Sequence, residues 1–375
     1  MIYFDNAATA YPKSPRAIEE ANACMHLWCG NPGRGAHSLS LAAAQRVFAC
    51  RELLAQFLGL GSPERIIFTV NTTYALNMAL KGILKSGDHV LCSELEHNAV
   101  FRPLYALKKE RGITLDVFPV VGLTDGEILD GILARTKRNT AAITCLHASN
   151  ICSLTLPLAA IGAFCRARGL YFIVDAAQSA GHLPIDMCAM HIDALAAPAH
   201  KGLLGLQGCG ILALGERAKP ATIIEGGSGV NSLLPDMPEE YPERFEAGTL
   251  PTPAIAGLFG GVSHVMEQGL AEIESHAKTL FFEARERIRS LDGFEIYQEE
   301  APGAVFLFNK RGIPSTALAR WLDKNGICTR AGLHCAPLAH KALSTPEGGA
   351  VRLGFGIFNT KGELDTLWRV LKELP

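Results

Sequence analysis

The sequence has no CxxC pair, no excess of charge of one sign, and no apolar run near the ~20 residues that cross a bilayer. Its 11 cysteines are odd in number and irregularly spaced, which argues against a disulfide framework and against a zinc site. Several lie inside apolar runs, Cys145 in AAITCL and Cys165 in AIGAFCRA, where a buried thiol behaves as a small hydrophobe. A reducing compartment, the cytoplasm, is therefore expected. The formal net charge is only -2, so no basic field favours nucleic acid or an anionic membrane. The opening MIYFDNAATAYPKS has neither a charged n-region nor an apolar h-region, so no secretory leader is expected. Internal repeats, low-complexity tracts and the glycine fingerprint of a dinucleotide-binding turn are missing too.

What is present is a well-packed composition, 48% hydrophobic and 19% charged over 375 residues, enough for two domains. From about residue 65 to 215, short apolar runs alternate with amphipathic stretches. ERIIFTV, HVLCSEL, TLDVFPV, TAAITCL, LYFIVDAA, IDALAA and GILAL read as buried strands. TTYALNMALKGI, FRPLYALKKER and LAAIGAFCRARG between them read as helices. This alternation predicts a mostly parallel, doubly wound sheet. Glycine and proline crowd Glu225 to Pro253, a long functional loop. A long helical pattern follows from Ala254 to Leu291, then strand-like FEIY and AVFLF and further helices. The expected organisation is a large α/β domain over 12–258, and a smaller α+β domain over 259–375 that includes the arm 1–11.

In an open parallel sheet, ligands bind beyond the carboxyl ends of the strands. Asp175 closes YFIVD, Asn150 follows ITCLHAS, and His200-Lys201 follows ALAAPA. Pyridoxal 5'-phosphate (PLP) chemistry asks for such a set. A lysine must hold the aldehyde, and a carboxylate must keep the pyridine nitrogen protonated. Taken alone, Asp175 reads as a helix cap and Lys201 as a solvated loop lysine. Their occurrence together, in order and on successive strands, favours the functional reading. Thr72 and Thr73 in VNTTYALN open a helix, where free N–H groups and the dipole suit a phosphate.

DNAAT, VDAAQ, AHKG, RFEAGT and RAGLHCAP, in that order, resemble the class V aminotransferase group, and within it the group II cysteine desulfurases and selenocysteine lyases. The resemblance runs nearly end to end. It implies a PLP-dependent transferase of fold type I, a homodimer with active sites at the subunit interface. It also implies L-cysteine, or L-selenocysteine, as substrate and a separate sulfur-acceptor protein.

The roles it implies fall on named positions. Lys201 would carry PLP and move the substrate Cα proton; Asp175 would pair with the pyridine nitrogen, and Gln178 with the ring's phenolic oxygen. His97 would stack on the ring, the alternative being a helix cap or a surface imidazole. Thr72, Thr73 and His200 would hold the phosphate, with Thr249 reaching it from the other subunit. Arg352 would clamp the substrate carboxylate, a task suited to a planar bidentate donor, supported by Asn150; a structural ion pair is the alternative for Arg352. Cys335 would attack the substrate sulfur, and Arg330 and His334 beside it are expected to lower its pKa.

The lysine motif departs from the family at Pro198, where the family usually has a Ser or Thr to bind phosphate; proline offers neither hydroxyl nor N–H. GLLGLQG and EAGTLPTP also differ from the usual pattern. Three rival readings stand beside the desulfurase: a selenocysteine lyase, another PLP-dependent eliminase or transaminase with Cys335 idle, and a non-catalytic partner that binds a sulfur carrier. Intact Lys201, Asp175 and Arg352 count against the last.

Overall fold

A computed structural model describes residues 1–33 and 35–374. The arm begins with β1 (Ile2–Tyr3), and seven strands then build the large sheet. They are β2 (Ile66–Thr69), β3 (His89–Ser93), β4 (Thr114–Phe118), β5 (Thr140–Leu146), β6 (Tyr171–Asp175), β7 (Ala194–Pro198) and β8 (Gly210–Leu214). Each falls on one of the expected apolar runs. Their order is β2-β8-β7-β6-β5-β3-β4. The pairs from β7 across to β4 are parallel, and β8 runs antiparallel to both neighbours.

The inner strands are mostly apolar and almost wholly buried because both faces are covered. Ile66 and Phe68 pack into one core with Ile143, Phe172 and Leu195, while Ile67 joins Val90, Ile173 and Leu212 in the other. Residues one apart on a strand point to opposite faces, so each run feeds two cores. Only β4, at the sheet edge, is half-exposed along most of its length.

No helix or strand occupies residues 215–251, which take in the expected loop Glu225 to Pro253 except for its last two residues, already helical. The pattern read as one helix from Ala254 to Leu291 is two helices, Thr252–Gln268 and Leu270–Arg289. Gly269 between them has φ +85°, a left-handed conformation that turns the chain and suits a residue without Cβ.

Beyond them come β9 (Phe294–Tyr297), β10 (Val305–Lys310), β11 (Ile327–Cys328), β12 (Arg330–Gly332) and β13 (Ala350–Gly354). Four form an antiparallel sheet ordered β12-β13-β10-β9, and β1 pairs with β11. A third core lies here, where Phe4 of the arm packs with Phe281, Phe306, Leu353 and Phe355. The helix Thr252–Gln268 runs through position 258 and sends Ile255, Leu258 and Val262 into the large core. No described helix is long and apolar enough to cross a membrane.

Candidate active site

The carboxyl ends of β5, β6 and β7 converge with the first turn of the helix Thr72–Ile83. Nine sequence-selected residues, Thr72, Thr73, His97, Asn150, Asp175, Gln178, Pro198, His200 and Lys201, line one cavity of about 240 Å³ there. The helix reaches the rim because β8 begins with a glycine. A Cβ on Gly210 would stand 2.8 Å from the Asn71 carbonyl carbon. Asn71, not a threonine, caps the helix, accepting the Tyr74 amide at 2.9 Å. Thr72 Oγ1 is left buried with no hydrogen-bond partner. An orphaned hydroxyl beside first-turn amides, which have no acceptor within the helix, fits a phosphate and accounts for that vacancy in its bonding.

Asp175 is buried at the end of β6 and accepts the Ala177 amide at 2.9 Å. It therefore serves the local turn while facing the cavity. Burial pushes its carboxyl pKa up, and the Ala177 hydrogen bond and nearby Lys201 act against that. Burial drives the Lys201 ammonium down to about 8, with Asp175 opposing. That leaves a substantial neutral, nucleophilic fraction near pH 8. These residues fit PLP: an amine for the aldehyde, a carboxylate for the ring nitrogen, and a helix start for the phosphate.

His97 caps a helix, the alternative reading, and also faces the cavity. Its Nδ1 accepts the Ala99 amide at 3.0 Å, capping the helix Asn98–Arg111, and the ring also lines the cavity. Burial, then the charge of Lys201, lowers its pKa to about 4, so the imidazole is neutral. His200 Nδ1 lies 3.0 Å from Thr9 Oγ1, and burial likewise takes its pKa to about 4. Gln178 Nε2 donates to the Ala7 carbonyl at 2.9 Å, which leaves its oxygen for other partners.

Of the residues expected to act on cofactor or substrate, Thr249, Arg352 and Cys335 lie outside that cavity's lining. Thr249 is exposed in the 215–251 loop region. Arg352 is 1% exposed on β13, where Nη1 donates to the Asn150 carbonyl at 2.9 Å and Nη2 pairs with Asp5 Oδ1 at 2.7 Å. The structural ion pair anticipated as its alternative is formed. Cys335 sits exposed in a second cleft of about 350 Å³ that shares Thr73, His97 and Ala99 with the first. Cys335 and His334 both have positive φ, +57° and +50°, an unusual pair for residues with side chains.

The loop geometry corrects one expectation. Arg330 Nη2 stands 3.9 Å from Cys335 Sγ, but His334 turns inward. Its Nδ1 lies 3.1 Å from His340 Nε2 and its Nε2 3.2 Å from the Arg330 carbonyl. Burial takes its pKa to about 3, so it is a neutral brace and supplies no cation to the thiol. Asp5, Thr9 and His340 were not singled out in the sequence. DNAAT contains the first two, yet only the fold reveals that Asp5 faces Arg352 and Thr9 faces His200.

The family model for class-V aminotransferases matches residues 2–367. A probable cysteine desulfurase of Methanothermobacter thermautotrophicus is 33% identical, the match covering 100% of this chain and 94% of that protein. A cysteine desulfurase of Yersinia pseudotuberculosis is 30% identical over 98% of this chain and 91% of its own. Among solved structures, the apo cysteine desulfurase of Thermococcus onnurineus superposes with a TM-score of 0.89 at 28% identity, covering 99% of this chain and 94% of that one. An Escherichia coli cysteine desulfurase gives 0.86 at 25%, covering 99% and 94%. With a family match running almost from end to end and relatives at 30% identity or more over its length, the chain belongs to the class-V aminotransferases.

Proposed function

We propose that the chain is a PLP-dependent cysteine desulfurase, converting L-cysteine to L-alanine and collecting the sulfur as a persulfide on Cys335. The observation that carries this reading is the shared wall between two clefts. Thr73, His97 and Ala99 border both the cavity of Lys201 and the cleft that holds Cys335. A transaminase needs the first cleft only.

When bound, PLP supplies an electron sink for the charge released at the substrate Cα. Lys201 would hold the cofactor's aldehyde carbon and then move the Cα proton, as its lowered pKa suits. Asp175 would keep the ring nitrogen protonated, Gln178 would address the phenolic oxygen, and neutral His97 would lie against the ring face. Thr72, Thr73 and His200 would hold the phosphate, with Thr249 contributed by the second subunit of a homodimer. Arg352 would receive the substrate carboxylate, sharing its guanidinium with Asp5. The Cys335 thiolate would attack the substrate sulfur. The carbon–sulfur bond breaks, a sulfur–sulfur bond forms, and the released carbon takes a proton to become alanine. No net oxidation occurs: cysteine plus enzyme thiol gives alanine plus enzyme persulfide.

The same reading divides the chain into a cofactor-binding domain (12–258) and a smaller one (259–375 with the arm 1–11). The pairing of β1 with β11 supports this. It also sets the protein in a reducing cytoplasm, in keeping with 11 unpaired cysteines, and gives the persulfide a separate acceptor. Two experiments together test it. Borohydride reduction of PLP-loaded protein should fix the cofactor on Lys201, and L-cysteine with excess dithiothreitol, which reduces the Cys335 persulfide, should yield alanine and sulfide in equal amounts. Absence of the Lys201 adduct would sink the reading entirely.

A further inference from the structure

Cys335 heads a groove that runs away from the cofactor cavity between two helices. Thr73, Asn77 and Lys81 recur at four-residue spacing on Thr72–Ile83, so they share one face of that helix. Asn98 and Arg102 line the facing helix, Asn98–Arg111, and the Asn98 amide donates to the Cys335 carbonyl at 2.7 Å. The ionisable side chains lining the groove, apart from the thiol, are the neutral His97, Lys81 and Arg102; no carboxylate lines it. Arg330 Nη2 stands 3.9 Å from the sulfur. The groove is open to solvent, with a volume of about 350 Å³, comparable with small-molecule clefts.

We propose that this groove admits an anionic low-molecular-weight thiol, one carrying carboxylates, which takes the sulfur from Cys335. The proposal rests on the desulfurase reading. The incoming thiolate attacks the outer sulfur of the Cys335 persulfide. The bond between that sulfur and Sγ breaks, a new sulfur–sulfur bond forms on the acceptor, and Cys335 leaves as thiolate. No oxidant is required. Lys81 and Arg102 draw the carboxylates inward and so raise the local concentration of such acceptors. A charge-guided groove also discriminates against neutral and cationic thiols, whose approach gains nothing from these two residues.

The test uses PLP-loaded protein in two arms. The first leaves sulfur chemistry aside and compares alkylation of Cys335 by iodoacetate and by iodoacetamide, read by peptide mass. At low salt the anionic reagent should gain on the neutral one by on the order of tenfold relative to their ratio on a free peptide thiol. Lys81→Gln with Arg102→Gln should abolish that gain, and so should 1 M salt, where screening acts within about 3 Å. The second arm charges Cys335 with sulfur from cysteine, then follows its loss to mercaptosuccinate, 2-mercaptoethanol and cysteamine. Mercaptosuccinate should lead after correction for thiol pKa, and the double variant should level the three while forming the persulfide at the wild-type rate. If iodoacetate shows no gain, or the double variant keeps it, the groove proposal is overturned. It is equally overturned if neither reagent reaches Cys335. If alkylation behaves as expected but no persulfide forms, the desulfurase reading fails instead.

Discussion

Asn150 donates its side-chain N–H to the carbonyl oxygen of His334 at 3.0 Å, joining the rim of the large sheet to the residue before Cys335. The same Asn150 offers its own carbonyl to Arg352 at 2.9 Å. The side chain expected to support a substrate carboxylate thus also holds the loop that presents the thiol. Removing it strands a buried carbonyl, at a cost of about 1–3 kcal/mol, and releases two residues held at positive φ. Asn150→Ala should lower kcat for alanine release by roughly tenfold, the equivalent of about 1.4 kcal/mol. KM and the cofactor spectrum should change little. A rise in KM with kcat intact would show that the carboxylate role is the dominant one.

Lys201 gives a pH signature. Its folded pKa of about 8 lies below the ordinary lysine value, so the free amine grows as pH rises through 8. Uptake of PLP by the apo-protein should therefore accelerate from pH 7 to 9 and level off above, followed by absorbance in a stopped-flow mixer. Lys201→Ala should show no such uptake phase and no activity. A flat rate across that range would place the limiting step elsewhere.

The large sheet was legible because each of its strands except the edge strand β4 is a run of largely buried residues. The cavity was legible for the same reason: Asp175, Asn150 and Lys201 stand where strands stop. What escaped was set by contacts distant in sequence. Asp5 meets Arg352 across 347 positions, and no local pattern marks that pairing. His334 reads as a cation beside a cysteine, yet its ring turns toward His340, six residues away, and burial neutralises it. Gly269 looked like an interior helix residue because apolar spacing continues on both sides, and only its backbone angle parts the helices.

Pro198 ends β7 and lines the cavity without a hydroxyl or an N–H to offer. Restoring a hydroxyl to the phosphate region adds one hydrogen bond to a charged group, about 1.5–3 kcal/mol if its geometry is good. Pro198→Thr should hold PLP more tightly, or equally where a backbone donor already serves, as judged by cofactor loss on gel filtration. Faster loss from the variant would mean that the cup depends on proline.

Glu96, the residue before His97, is wholly buried. Ser93 Oγ and the Leu146 amide both donate to its Oε1, and Oε2 has no partner. Burial raises its pKa to about 8. A folded pKa above the unfolded one contributes stability that is fully present below about pH 4.5 and is lost as pH climbs toward 8. Glutamine mimics the protonated form. Glu96→Gln should match the wild type near pH 5 and exceed it by on the order of 4 kcal/mol at pH 8. Denaturant melts across that range would show the curves separating with pH; parallel curves would mean the carboxyl ionises without penalty.

Cys335 decides between sulfur transfer and the other PLP chemistries. Its thiol is exposed in the cleft beside the cofactor cavity, with an arginine 3.9 Å from the sulfur. Only the thiolate attacks a substrate sulfur, and nothing else lining that cleft can act as a soft nucleophile. Lys201, Asp175 and Thr72, to which the proposal gives cofactor binding, line the neighbouring cavity and not the cleft of Cys335. Cys335→Ala should therefore keep the cofactor absorbance and its shift on adding cysteine, yet lose most alanine release from cysteine. Selenium leaves more readily than sulfur, so turnover of selenocysteine should fall less. Wild-type protein incubated with cysteine should carry one added sulfur on the peptide containing Cys335, and the variant none. Alanine release at the wild-type rate from Cys335→Ala would remove the thiol from the mechanism and leave an eliminase or a transaminase in its place.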